Sequence, residues 1–65
     1  MPYSRITELP PDVKNALPKS AQRTFMNTFN NALNKYKQED VAFRVAWDVV
    51  KQSYKKVKDK WIKRT

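Results

Sequence analysis

The chain contains no glycine at any of its 65 positions. Glycine takes positive φ angles without steric cost, so tight β-hairpins and phosphate-binding loops normally contain it. Helices need only negative φ angles, and a chain without glycine therefore favours them. At this length the apolar core is near the lower limit for stability, and a free energy of unfolding above about 3–5 kcal/mol would be unexpected. We expect a compact all-α structure of three helices, with residues 1–65 forming a single domain.

Two Leu-Pro pairs, Leu9-Pro10 and Leu17-Pro18, indicate where helices begin. The residue before a proline is disfavoured in the α conformation, whereas proline itself fits the first helical turn because its missing N–H is not needed there. The pairs therefore predict a short helix of about Pro11 to Ala16 and a longer second helix that begins near Pro18.

The longer helices are predicted by apolar residues at i, i+3 and i+4 spacings. The apolar face of the second helix comprises Ala21, Phe25, Met26, Phe29, Ala32, Leu33 and Tyr36. A third helix is expected from about Asp40, and its apolar face comprises Phe43, Trp47, Val50, Tyr54, Val57 and Trp61. This face is widened by Ala42, Ala46 and Val49. After Tyr54 the lysines become dense, and this segment either continues the helix or becomes extended. In the extended case the chain ends form a short two-stranded pairing, with Tyr3 and Ile6 facing Trp61 and Ile62.

The composition excludes several kinds of functional site. The sequence has no cysteine and no histidine, so disulfides, histidine acid–base chemistry and the usual zinc sites are absent. The six carboxylates are scattered, and the adjacent pair Glu39-Asp40 is better explained as favouring the start of the third helix than as a metal site. We expect no enzyme activity, no cofactor, no metal and no small-molecule substrate.

No apolar run approaches the roughly 20 residues that span a bilayer, and the first ten residues lack the apolar centre of a signal peptide. These observations predict a soluble intracellular protein. A second copy would add stability to so small a core, so both a monomer and a homodimer remain open.

Positive charge is concentrated at the C-terminus. Residues 51–65 contain seven basic side chains and one acid, Asp59, and so contribute +6 to a net charge of +8. The basic residues are Lys51, Lys55, Lys56, Lys58, Lys60, Lys63 and Arg64. Such a cluster attracts polyanions, whether nucleic acid, an anionic membrane surface or an acidic protein face. Among these partners we predict that the seven residues bind the phosphates of nucleic acid without sequence specificity. On a helix, Lys51, Lys55 and Lys58 would share one face, with Lys56, Lys60 and Lys63 on an adjacent one. Tyr54 and Trp61 would then either contact the partner or cover the core.

The sequence also resembles a known family over nearly its whole length. The motifs that it shares are the Met-Pro-Tyr start, the two Leu-Pro pairs, Ala21-Gln22, Phe29-Asn30, Tyr36, Val45-Ala46-Trp47, Val50-Lys51, Tyr54 and Trp61. In this order and spacing they resemble the ChaB family. The resemblance implies a small, mainly helical fold and provides no catalytic residues.

The resemblance implies two alternative functions. ChaB-like proteins of bacteria are described as regulators of a cation antiporter, for sodium or for calcium and protons. Similar proteins of large DNA viruses of insects have been suggested to bind DNA, and this resemblance implies a location in the cytoplasm or in the nucleus of an infected host cell. Bacterial members have a longer acidic stretch where this chain has only Lys37-Gln38-Glu39-Asp40. This difference favours an anionic partner over direct cation sensing. The alternative function is an adaptor that regulates the antiporter through a protein or an anionic membrane surface.

Overall fold

The structure, a computed structural model, describes residues 3–58 and 60–64. Met1 and Pro2 of the N-terminal motif and Asp59 lie outside the described residues. A 3₁₀ turn at Ile6–Glu8 is followed by three helices and two strands. These elements are α1 (Pro11–Ala16), α2 (Lys19–Tyr36), α3 (Glu39–Ser53), β1 (Tyr54–Val57) and β2 (Lys60–Lys63). The three predicted helices are therefore confirmed, and their starts agree closely with the positions that the sequence indicated.

The Leu-Pro pairs act as helix boundaries, as predicted. Pro10 and Pro18 are the N-cap residues of α1 and α2, and Leu17, in the extended conformation, ends α1. The Gln22 side chain on α2 then donates hydrogen bonds to the carbonyls of Lys14, at 3.1 Å, and Leu17, at 2.8 Å. These bonds satisfy carbonyls that the end of a helix leaves without an intrahelical partner. They hold α1 against the first turns of α2.

The core lies between α2 and α3 and is closed by the N-terminal segment and α1. Its buried residues form one cluster, consisting of Leu9, Val13, Leu17, Ala21, Phe25, Phe29, Ala32, Ala42, Ala46, Val50 and Tyr54. Phe25 is at the centre, with ring centroids 5.3 Å from both Phe43 and Trp47 in edge-to-face geometry. A single core cluster is what one domain would contain. That residues 1–65 form one domain stays a prediction.

The N-terminal segment is attached to α2 by a pair of hydrogen bonds. The Tyr3 amide donates to Asn30 Oδ1 at 2.9 Å, and Asn30 Nδ2 donates to the Tyr3 carbonyl at 2.8 Å. The side-chain amide thus pairs with Tyr3 much as a neighbouring strand would. The Tyr3 ring also contacts Phe29, at 5.0 Å between centroids. The segment is held to the core by both polar and aromatic contacts.

The structure corrects the prediction for the C-terminal segment. Helix α3 ends at Ser53, so Val57 and Trp61 do not continue its apolar face. The predicted pairing of the chain ends is also wrong, because β1 pairs with β2 and the two form an antiparallel hairpin. Adjacent strands with a two-residue connection meet at little entropic cost, whereas pairing the termini would require closure of the whole chain.

Several residues of the predicted apolar faces are less buried than expected. Tyr36 and Val57 expose 46% and 42% of their surface, and Trp47 is half-buried. Tyr36 is the last residue of α2, where the chain turns away from the core, and Lys35 lies over its ring at 5.3 Å. Tyr54 is buried, as a core residue would be.

Candidate functional site

The basic residues of the C-terminus lie on the β1–β2 hairpin. The register pairs Tyr54 with Lys63, and Val57 with Lys60 next to the loop. Lys58, the first residue of the two-residue connection, has a φ of 57°. Two-residue hairpin loops favour type I′ or II′ turns, because the twist of these turns matches the twist of the strands. Both turn types require a positive φ at their first central residue, which is the position of Lys58. The hairpin thus forms without glycine.

The inner face of the hairpin packs on the helices. Opposed residues of paired strands share a face, so Tyr54 and Lys63 lie beside Lys56 and Trp61 on this side. The Tyr54 hydroxyl shares a 2.7 Å hydrogen bond with Ser20 Oγ at the start of α2. The Trp61 ring contacts Trp47 of α3, at 5.9 Å between centroids. The two aromatic residues therefore support the hairpin, and Lys56 and Lys63 extend beyond them into solvent.

The outer face of the hairpin consists of four exposed residues. Lys55 is opposite Ile62, and Val57 is opposite Lys60. Ile62 and Val57 expose 44% and 42% of their surface, and neither belongs to the core nor packs against it. Val57 and Ile62 thus lie on one diagonal of this face, and Lys55 and Lys60 lie on the other. We define these four residues as the outer hairpin face.

The six lysines of the predicted patch are all exposed, but their predicted arrangement on helical faces is wrong. Lys51 lies on the last turn of α3, while Lys58 lies in the hairpin loop. The strands divide the others: Lys55 and Lys60 belong to the outer hairpin face, and Lys56 and Lys63 to the inner side. The structure therefore brings the lysines together on one hairpin and directs them to both of its sides.

Arg64, the seventh residue of the predicted patch, contacts the end of α3. Its amide donates to the Ser53 carbonyl at 2.8 Å, and its guanidinium Nε donates to the Lys51 carbonyl at 3.2 Å. A cation at a helix C-terminus also interacts favourably with the helix dipole. Arg64 therefore joins β2 to α3, a role that the sequence did not indicate.

The site has the features of a binding surface. No pocket is formed by the residues that the structure describes, and no group of three potential metal ligands occurs among them. Within the same part of the chain, no helix is both long and apolar enough to cross a membrane. What the structure presents for contact is the basic hairpin, with exposed aliphatic residues on one of its sides. Val57 and Ile62 were not among the predicted site residues, because helical spacing placed Val57 in the core.

Comparison with known proteins agrees with this fold. The model of the ChaB family matches residues 9–64. The chain belongs to the ChaB family. A protein of Escherichia coli K12 named "Putative cation transport regulator ChaB" is 38% identical, with both chains covered in full, and a protein of the same name from Shigella flexneri matches equally. The alignment has 76 positions for the 65 residues of this chain, so the relatives contain insertions.

The ChaB fold itself has been observed in solution. The NMR structure of a protein with the same name superposes with a TM-score of 0.87 at 36% identity, covering 98% of this chain and all of the other. The resemblance drawn from the Leu-Pro and aromatic motifs is thus confirmed. The names of these ChaB relatives refer to cation transport, and they give the predicted binding of nucleic acid no support.

Proposed function

We propose that this protein is a non-enzymatic regulator of cation transport that acts by binding, as an adaptor, to the transport system. The observation that supports the proposal most directly is the full-length match to relatives named as cation transport regulators. A match over the whole of both chains leaves no separate domain of the relatives to perform that role. The alternative function that the family resemblance implied is therefore the better supported one.

The surface through which the regulator acts, in this proposal, is the basic hairpin. Five lysines, Lys55, Lys56, Lys58, Lys60 and Lys63, are exposed on it, and Lys51 adjoins it on α3. Exposed charges of one sign increase the rate of encounter with an oppositely charged partner and help to set orientation. The partner would present acidic groups at the intracellular side of the membrane. Arg64 maintains the joint between hairpin and helix rather than making the main contact.

The test is a transport assay in everted membrane vesicles that contain a cation/proton antiporter. A pH gradient is established, sodium or calcium is added, and the loss of the gradient is followed with a fluorescent dye. We expect purified protein to change the initial rate in a saturable manner. The variant with Lys55, Lys56, Lys58 and Lys60 all changed to Gln should lose most of this effect. The polar glutamine side chains should leave the hairpin folded, while four positive charges are removed from it.

The matched control changes four exposed basic residues away from the hairpin, Arg5, Arg23, Lys35 and Arg44, to Gln. It removes the same charge, so an equal loss of effect would mean that net charge alone matters and not the hairpin. If the parent protein does not change the rate for either cation, the proposal of a transport regulator is wrong.

Nonspecific binding of nucleic acid is the second candidate, and the observation that favours it is the density of exposed lysines on the hairpin. Binding that uses these lysines on phosphates would weaken steeply with salt, because counterions are released. Titration of a labelled DNA duplex at several salt concentrations separates the two functions. Saturable, salt-dependent binding together with no effect on transport would favour nucleic acid as the partner.

A further inference from the structure

The outer hairpin face combines positive charge with exposed apolar surface, and these two features suit different kinds of partner. Lys55 and Lys60 provide positive charge, while Val57 and Ile62 provide apolar surface that is 42% and 44% exposed. The described contacts between the hairpin and the helices run through Tyr54 and Trp61 on the inner side and through Arg64, just beyond β2. None of these contacts uses the outer hairpin face, and Val57 and Ile62 neither belong to the core nor pack against it.

We propose that the outer hairpin face binds the surface of an anionic lipid bilayer, with Val57 and Ile62 entering the interface and the lysines contacting lipid headgroups. The inference rests on the proposed function for the presence of a membrane partner. It adds the orientation of the protein: the hairpin meets the bilayer and the helices point away from it.

The size of the face favours a bilayer over a protein partner. Strands of four residues are about 13 Å long. Two of them present far less area than the roughly 800 Å² per partner that a stable protein interface buries. A bilayer needs no shape complementarity, and its affinity increases with apolar area and with charge. Each lysine near an anionic leaflet contributes about fivefold to the affinity.

The aliphatic residues favour a bilayer over nucleic acid. A phosphate backbone contacts basic and polar side chains, and offers no apolar site to the exposed Val57 and Ile62. At a membrane interface, in contrast, the lysines can extend their apolar stems along the aliphatic side chains while the ammonium groups reach the headgroups. The same two lysines and two aliphatic residues are thus all used in one binding mode.

The first measurement is co-sedimentation of the purified protein with vesicles of phosphatidylcholine containing 30% phosphatidylglycerol. Vesicles of phosphatidylcholine alone are the comparison. We expect binding to the anionic vesicles only, weakening as salt is added. The double variant Val57→Thr with Ile62→Thr keeps β-branched side chains and should bind about tenfold more weakly. The double variant Lys55→Gln with Lys60→Gln should bind about thirtyfold more weakly.

Tyr36 provides the matched control, because it is also a large exposed apolar residue and lies at the far end of α2 from the hairpin. Tyr36→Thr should bind within twofold of the parent. Circular dichroism and the melting temperature of each variant show whether it is folded. An equal loss for Tyr36→Thr, or no loss for the Val57 and Ile62 pair, would overturn the proposed face.

The second measurement places the face directly. The chain has no cysteine, so Ile62→Cys can be labelled at one site with an environment-sensitive fluorophore, and Tyr36→Cys serves as the control. Anionic vesicles should shift the emission of the label at position 62 to the blue and leave position 36 unchanged. A label at position 62 that does not respond would contradict insertion.

Failure of this inference can be distinguished from failure of the proposed function. If the protein regulates transport but does not bind anionic vesicles, the hairpin contacts a protein and the bilayer inference is wrong. If the protein binds the vesicles through the outer hairpin face but changes no transport rate, the inference stands and the proposed function falls. Binding to duplex DNA with no binding to vesicles would also overturn the bilayer inference.

Discussion

Two lysines take backbone conformations that glycine usually provides. Lys37 ends α2 with a φ of 62° and ψ of 21°, and its amide donates to the Leu33 carbonyl at 2.8 Å. Lys58 in the hairpin loop has a φ of 57°. For a residue with a Cβ atom this left-handed conformation costs about 1 kcal/mol or more. The absence of glycine thus predicted helices correctly, yet the chain still makes two turns of a kind that favour glycine.

The variant Lys37→Gly should therefore be more stable than the parent. Glycine removes the steric cost at the left-handed position, and we expect a gain of about 1 kcal/mol in the free energy of unfolding. For a domain of this size such a gain raises the melting temperature by about 4–8 °C. Thermal unfolding followed by circular dichroism measures it.

The control for this prediction is Lys35→Gly, two residues earlier and inside α2. There the backbone is helical, and glycine should destabilise the protein by about 1 kcal/mol. The two substitutions make the same chemical change with opposite expected signs. A drop in melting temperature for both would mean that the conformation of Lys37 does not limit stability.

At the scale of elements, helix starts were predictable and the C-terminal hairpin was not. The prolines restrict the backbone locally, so Pro11 and Pro18 indicate helix starts whatever the rest of the chain does. The segment after Ser53 is ambiguous, because Tyr54, Val57 and Trp61 are spaced as on a helix but are also aromatic or β-branched. The deciding contacts, of Tyr54 with Ser20 and of Trp61 with Trp47, are tertiary and leave no local signal.

The candidate site was predictable to a similar extent. Composition located the exposed lysines, because solvated charge needs no partner to remain at the surface. It could not show that Val57 and Ile62 share a face with Lys55 and Lys60, since that depends on strand register. It also could not separate Arg64 from the lysines, because the role of Arg64 arises from the approach of β2 to the end of α3.

Arg64 should therefore stabilise the joint between the hairpin and α3. The substitution Arg64→Ala removes the side-chain hydrogen bond to the Lys51 carbonyl and a favourable charge at the helix end. Because the side chain is exposed, we expect a loss of only about 0.5–1 kcal/mol. Hydrogen exchange should become faster at the amides of β1 and of the last turn of α3, and remain unchanged in the middle of α2.

Lys60→Ala is the matched control, since Lys60 is an exposed cation on the same strand and belongs to the outer hairpin face. It should leave hydrogen exchange in α3 unchanged. If Arg64→Ala and Lys60→Ala have the same effect on α3, the loss of a positive charge explains both results and Arg64 does not cap the helix.

For the whole molecule, aromatic contacts connect the helical core to the hairpin. Phe25 is fully buried in the core and contacts Trp47, whose ring then contacts Trp61 of β2. Trp47 is only half-buried, so it lies between the core and the surface that we propose for binding. The free energy of unfolding is small in a chain of this length. The position of a ring in this series therefore decides whether its loss unfolds the protein or only releases the hairpin.

We expect Phe25→Ala to unfold the protein and Trp47→Ala to release the hairpin from folded helices. Loss of a fully buried phenylalanine costs about 3–5 kcal/mol, which equals the expected total stability. The half-buried Trp47 should cost less, about 2 kcal/mol, so helical circular dichroism should persist in Trp47→Ala. Phe25→Ala should lose that signal at 25 °C. If Phe25→Ala melts cooperatively near the parent temperature, Phe25 is not central to the core.

Fluorescence then reports the hairpin directly, because substitution of Trp47 leaves Trp61 as the single tryptophan. In Trp47→Phe an aromatic ring still covers Trp61, and its emission should stay blue-shifted and resistant to iodide quenching. In Trp47→Ala that ring is lost, and Trp61 should emit at longer wavelength and be quenched more strongly while the helices remain. Equal quenching in the two variants would mean that the Trp47 ring does not hold the hairpin. The hairpin would then depend on Arg64 and on the bond between Tyr54 and Ser20.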